Sequence, residues 1–213
     1  MLAFQTRGRA IADVLRRRIA AGEIAPGSQL RQLEIAGEFG VSTTPVREAF
    51  AALRGDGLLV LDAQKRLIVF EPTIDEIVEI YEIRRRLEGL ATRRAVPNLT
   101  DADIDELESI YADLGELTGI EYVDRNRELH QRLYRCSEMP QLLRQIDALQ
   151  SASVAYLSLL SAEPAPNTVT PAQQEHRAIL DRCRDRDVDG ACAAMDRHLR
   201  STQAAIRELL LRS

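Results

Sequence analysis

Apolar residues recur at helical spacing along most of this chain, and the interruptions divide it into two parts. Ile11, Leu15 and Ile19 form a stripe with arginines between them, which predicts an amphipathic helix over residues 11–20 that ends at Gly22. Pro26-Gly27 then makes a turn. Over residues 32–51 the apolar positions are Ile35, Phe39, Val41, Val46 and Ala49, the pattern of two short helices crossing each other. Ala36 supplies the small side chain such a crossing needs, and Gly40 tolerates the left-handed backbone of a tight turn. Thr44 is expected to cap the second helix, with Pro45 at its first position. Two β-rich runs follow, residues 57–61 and 67–70, separated by Asp62-Ala63-Gln64-Lys65-Arg66.

From Thr73 onward the period is helical throughout. Thr73 and Glu76 make a capping box ahead of Ile77, Ile80, Leu87 and Ala91, and Pro97-Asn98 ends that helix. Thr100-Asp101 starts a second helix, to about residue 117, and a third covers about 121–137. Met139-Pro140 opens a fourth, to about 161; a proline-rich loop over 163–167 precedes helices at about 171–185 and 188–211. The fold expected is mainly α: an N-terminal winged helix-turn-helix over residues 1–71, then an antiparallel six-helix bundle over 72–213.

Charge agrees with a division of labour. Residues 1–70 hold ten Lys or Arg against seven Asp or Glu, leaving 18 and 26 of the chain's 28 basic and 33 acidic residues for the rest. A net charge of −5 therefore hides a basic head on an acidic body, as expected when one end meets double-stranded DNA. The helix-turn-helix places Ser42, Thr43, Thr44 and Arg47 at the groove-facing end of its second helix, and Lys65 and Arg66 at the tip of the wing. No apolar stretch reaches membrane-spanning length and no leader segment is visible, so the expectation is a cytoplasmic protein with no membrane partner. Cys136, Cys183 and Cys192 lack metal-type spacing and are expected to be reduced thiols.

The chemistry of the bundle is expected at its three histidines, His130, His176 and His198, each inside an apolar stripe. Asn126, one turn before His130, projects beside it. Three imidazoles and an amide oxygen from three helices form a set able to hold a divalent metal while leaving positions open. On the first bundle helix Arg84 shares the stripe of Ile80 and Leu87, so its guanidinium points inward and needs an anion. Glu88, one turn on, is one such partner; the carboxylate of a small organic-acid effector is the other. Tyr134, near His130, is a second candidate effector contact.

The run P-G-S-Q-L…G-V-S-T-T-P-V-R-E-A-F-A-A-L-R-G-D-G-L-L resembles the DNA-binding domain of GntR-superfamily transcription regulators. That resemblance implies that Arg47, in P-V-R-E, contacts DNA; Thr43 stands where arginine is frequent, and Arg66 where the wing usually has glycine. Y-E-I-R-R-R-L-E-G-L-A, N-R-E-L-H-Q-R-L-Y, E-H-R-A-I-L and M-D-R-H-L are similar to the FCD effector domain of the FadR branch, in its six-helix, VanR-like form. Metal-binding members use an Asp or Asn four residues before a His, and two further His, which map onto Asn126, His130, His176 and His198. The resemblance also associates the arginine matching Arg84 with the effector pocket. It implies a ligand-responsive regulator, expected to be a repressor and not an enzyme. It would dimerise through the bundle, bind an inverted-repeat operator and carry zinc, nickel or manganese. Two alternatives stand beside it: a metalloenzyme using the three-histidine site, and a regulator whose pocket holds no metal, with neutral Asn126 marking the loss.

Overall fold

The computed structural model describes residues 6–71, 73–151, 153, 157 and 170–212. Helix α1, Arg7–Ala20, is capped by the Thr6 hydroxyl and buries Ile11, Leu15 and Ile19 against α3. Helix α2 covers Gln32–Phe39 and α3 Thr43–Gly55. Between them Gly40 sits at φ 62° and ψ 36°, and the Val41 N–H returns to the Ala36 carbonyl at 3.0 Å. An L side chain is strained in that conformation, which is why the turn takes glycine. Ile35, Ala36, Val46, Ala49, Phe50 and Leu53 close the core of this head.

The start of α3 differs from the sequence expectation. Ser42, not Thr44, is its N-cap, and Pro45 falls at the third helical position. Proline is tolerated there because the first four N–H groups of a helix have no intrahelical acceptor. Strands β1, Leu59–Leu61, and β2, Leu67–Val69, pair antiparallel with Leu59 opposite Val69. They are shorter than the apolar runs that announced them. At the tip Asp62 accepts the N–H groups of Gln64 and Arg66 at 2.9 and 2.8 Å, and Lys65 takes the left-handed φ of 60°.

The bundle comprises α4 (Ile74–Ala95), α5 (Asp101–Asp113), α6 (Gly119–Arg135), α7 (Pro140–Ser151), α8 (Pro171–Arg184) and α9 (Val188–Arg212). Capping boxes begin three of them: Thr73 with Glu76, Thr100 with Asp103, and Thr170 with Gln173. A 3₁₀ turn, Val96–Asn98, follows α4 where Pro97 interrupts the α-helix. Helix α9 packs along both α4 and α8, α5 lies against α6 and α8, and α6 also touches α1 of the head. The fourth predicted helix is described from Pro140 to Ser151; its extension to 161 and the loop over 163–167 lie outside the described residues. Cys183 is buried, which pushes its thiol up to about 12, and all three cysteines are free. No helix among the described residues is long and apolar enough to cross a membrane.

Candidate functional site

The histidines meet. His130 on α6, His176 on α8 and His198 on α9 are 3%, 1% and 5% exposed, and one ring nitrogen from each lies within 4.8 Å of the others. His130 Nε2 and His176 Nε2 are 3.3 Å apart. Two nitrogens each about 2.1 Å from one ion, at angles between square and tetrahedral, stand roughly 3.0–3.4 Å apart, so the spacing suits a shared cation.

Neighbouring groups fix which nitrogens are free. His198 Nδ1 faces Glu175 Oε2 at 2.9 Å and His130 Nδ1 faces Tyr134 Oη at 3.2 Å, so both rings turn Nε2 towards the cluster. Burial, with the charges of His198 and neighbouring residues, holds His130 and His176 well below the ordinary imidazole range. Both rings are therefore neutral, the form that ligates metal. Asn126 Oδ1 is buried with no hydrogen-bond partner among the described residues. Three imidazoles whose ring nitrogens lie within 4.8 Å of one another, two of them held neutral by burial, are a donor set fitted to a divalent cation.

His198 and Asn126 also border a cavity of about 440 Å³ between α4, α6, α8 and α9, while His130 and His176 sit behind it. Its wall is mainly apolar, with Arg84, Tyr81, Tyr122 and Thr202 among its polar groups. Arg84 is 5% exposed and gives its Nε–H to Glu88 Oε1 at 2.6 Å, with its guanidinium 4.5 Å from the centre of the Tyr81 ring. Burial opposes its charge, but Glu88 and Tyr81 outweigh that, so its pKa lies above the usual arginine value. Arg84 Nη1 is nonetheless buried without a hydrogen-bond partner among the described residues, and the Tyr81 hydroxyl lies beside Ser153 and Arg84. Burial, with Glu175 nearby, pushes the Tyr122 hydroxyl up to about 12, so it stays protonated. Buried polar atoms without partners are rare in native interiors, and Arg84 and Asn126, which carry two of them, border this cavity together with Tyr81 and its hydroxyl. They offer a cation and a hydroxyl donor beside an acceptor, the equipment for a small anion.

One sequence candidate, Tyr134, is placed otherwise than expected. Tyr134 is fully buried but does not line the cavity; its hydroxyl serves Glu88 and His130 instead. Arg84 pairs with Glu88, the partner one turn on, and its Nη1 is buried without a partner among the described residues. Sequence reasoning missed Tyr81, Glu88's second bond and Glu175. Tyr81 lay within reach, because it precedes Arg84 by three residues on α4.

On the head, Ser42, Thr44, Arg47, Lys65 and Arg66 are exposed and Thr43 is half-buried. Arg47 Nε donates to Gln32 Oε1 at 3.1 Å, which steers the arginine from the start of α2. Arg66 pairs with Asp62 at 2.6 Å along the wing, and Lys65 beside it at the tip is exposed.

Residues 7–69 match the family described as bacterial regulatory proteins, gntR family, and residues 79–201 match the FCD domain. A "Probable D-xylose utilization operon transcriptional repressor" of Paenarthrobacter nicotinovorans is 29% identical over 195 residues, 89% of this chain and 84% of that protein. The HTH-type transcriptional repressor RspR of Escherichia coli K12 is 28% identical over 207 residues, 93% of this chain and 88% of that one. The solved structure of E. coli McbR/YncC superposes with a TM-score of 0.76 at 25% identity, covering 97% of this chain and 100% of its own. These relatives are transcription regulators, so the metalloenzyme alternative falls.

Proposed function

Because the chain belongs to the GntR family of bacterial regulatory proteins and carries an FCD domain, we propose that it is a cytoplasmic repressor governed by a small organic acid. Residues 1–71 form the DNA-binding head and 72–213 the effector domain, through which two copies dimerise on an inverted-repeat operator. Arg47, with Ser42, Thr43 and Thr44, enters the major groove, and Lys65 with Arg66 meets the backbone. The repressor reading draws on the names of its relatives.

The observation that carries the effector reading is the cavity between α4 and α9, bordered by Arg84, Tyr81 and Asn126, with Arg84 Nη1 and Asn126 Oδ1 buried without partners among the described residues. His130, His176, His198 and Asn126 would hold a divalent metal, zinc, nickel or manganese. That ion would present a positive centre to one oxygen of the effector's carboxylate. Arg84 Nη1 takes the other oxygen, and the mainly apolar wall selects a compact organic acid. Helix α6 carries Asn126 and His130 and also touches α1, so a ligand that reseats α6 shifts the pose of the head and the spacing of two half-sites. A gel-shift assay with the native promoter region, run with zinc and a panel of organic acids, tests this. An acid that changes operator affinity at fixed salt supports the reading; a panel that changes neither operator affinity nor thermal stability counts against it.

A further inference from the structure

Glu88 is fully buried, does not line the cavity of about 440 Å³ and is not among the clustered metal-ligating groups, yet it holds both halves of the site together. Its two oxygens are divided between them. Oε1 accepts from Arg84 Nε at 2.6 Å, and Arg84 lines the cavity. Oε2 accepts from Tyr134 Oη at 2.6 Å, with Gln150 Nε2 more distant at 3.5 Å. The Tyr134 hydroxyl has one proton. Met195 Sδ lies 3.3 Å away, but a carboxylate is much the stronger acceptor, so the proton goes to Glu88. With its proton so directed, Tyr134 Oη can only accept from His130 Nδ1 at 3.2 Å. His130 then carries its hydrogen on Nδ1 and keeps a lone pair on Nε2, the atom 3.3 Å from His176 Nε2.

We propose that Glu88 is a positioning residue: through Tyr134 it fixes His130 in the tautomer that offers Nε2 to a divalent cation. The inference rests on the metal reading of the histidine cluster, but its first consequence, the tautomer, exists without metal. A glutamine at position 88 can turn its amide N–H to Tyr134. Tyr134 is then free to donate to His130 Nδ1, which moves the ring hydrogen to Nε2 and closes the ligating lone pair.

The test uses the full-length protein, metal-free, with its histidine rings followed by ¹⁵N NMR, and zinc affinity measured by competition with a chromophoric chelator. Glu88→Gln disturbs Arg84 as well, so Tyr134→Phe, which deletes one oxygen and leaves the Arg84–Glu88 pair in place, is the decisive variant. We expect wild-type His130 to show the Nδ1–H tautomer and both variants to mix it with the Nε2–H form. Both should weaken zinc roughly 10- to 100-fold, the usual effect of losing a group that orients a ligand. A purely structural Glu88 would lower the melting temperature but leave the tautomer and the zinc affinity of folded protein unchanged, and that result overturns the proposal. A wild type that binds no zinc while its His130 tautomer still depends on Tyr134 overturns the metal reading instead, and leaves the positioning role supported.

Discussion

His130 and His176 face each other through their Nε2 atoms at 3.3 Å, on two helices whose contributing residues are 46 positions apart in the chain. Neither ring is ionised, because burial holds both well below the ordinary imidazole range. This has a consequence for stability. Unfolded, each histidine takes up a proton near pH 6.5; folded, each refuses it until much lower pH. The folded state is therefore favoured above that range and loses ground as pH falls below about 6.5, by up to about 1.4 kcal/mol per pH unit for each ring. Urea midpoints of metal-free protein at pH 7.5, 6.5 and 5.5 should fall in that order. Equal midpoints would show that the rings ionise without cost.

Arg47→Ala should weaken operator binding by about 1–3 kcal/mol, with discrimination against altered half-sites reduced as well. Gln32→Ala, which only frees Arg47 from its 3.1 Å tether, should cost less and leave the salt dependence unchanged. Operator titrations at fixed salt check both. Unchanged affinity in Arg47→Ala would remove α3 from the major groove.

Arg84→Leu would leave Glu88 buried without its guanidinium, and such losses cost about 3–5 kcal/mol. A leucine that merely keeps the apolar stripe filled is thus a poor probe, contrary to what the stripe alone implies. Arg84→Lys retains a cation for Glu88 but lacks the second arm that Nη1 supplies. It should fold and bind operator with near wild-type affinity, while the effective acid concentration rises roughly tenfold or more. A wild-type response in this variant would place the carboxylate elsewhere.

Asn126→Asp adds a negative charge to a donor set that has none, so zinc should bind more tightly, by roughly tenfold or more. Isothermal titration of the two proteins at the same pH makes the comparison. Equal or weaker binding would mean that the side chain at position 126 does not reach the ion.

What could be read from the chain beforehand follows from how local each signal is. Gly40, Ala36 and the stripe from Ile35 to Ala49 encode the helix-turn-helix within twenty residues, and Thr73 with Glu76 encodes a helix start within four. The histidines were readable as a group because each lies on the inward face of its own helix. Their partners were not. Glu175 reaches His198 across 23 residues and Tyr134 reaches Glu88 across 46, contacts that only the packing of α8 on α9 and α6 on α4 creates. The start of α3 was misplaced by two residues because Thr44-Pro45 and Ser42 are both acceptable openings, and the helix takes the earlier one.

The central claim is that the bundle holds a divalent cation at His130, His176 and His198, and equilibrium dialysis against zinc tests it most directly. Wild-type protein should retain about one equivalent per chain at pH 7.5, and His176→Ala should retain none while remaining folded. Wild-type protein that comes through dialysis with no zinc, or a His176→Ala protein that keeps the full equivalent, would contradict the account.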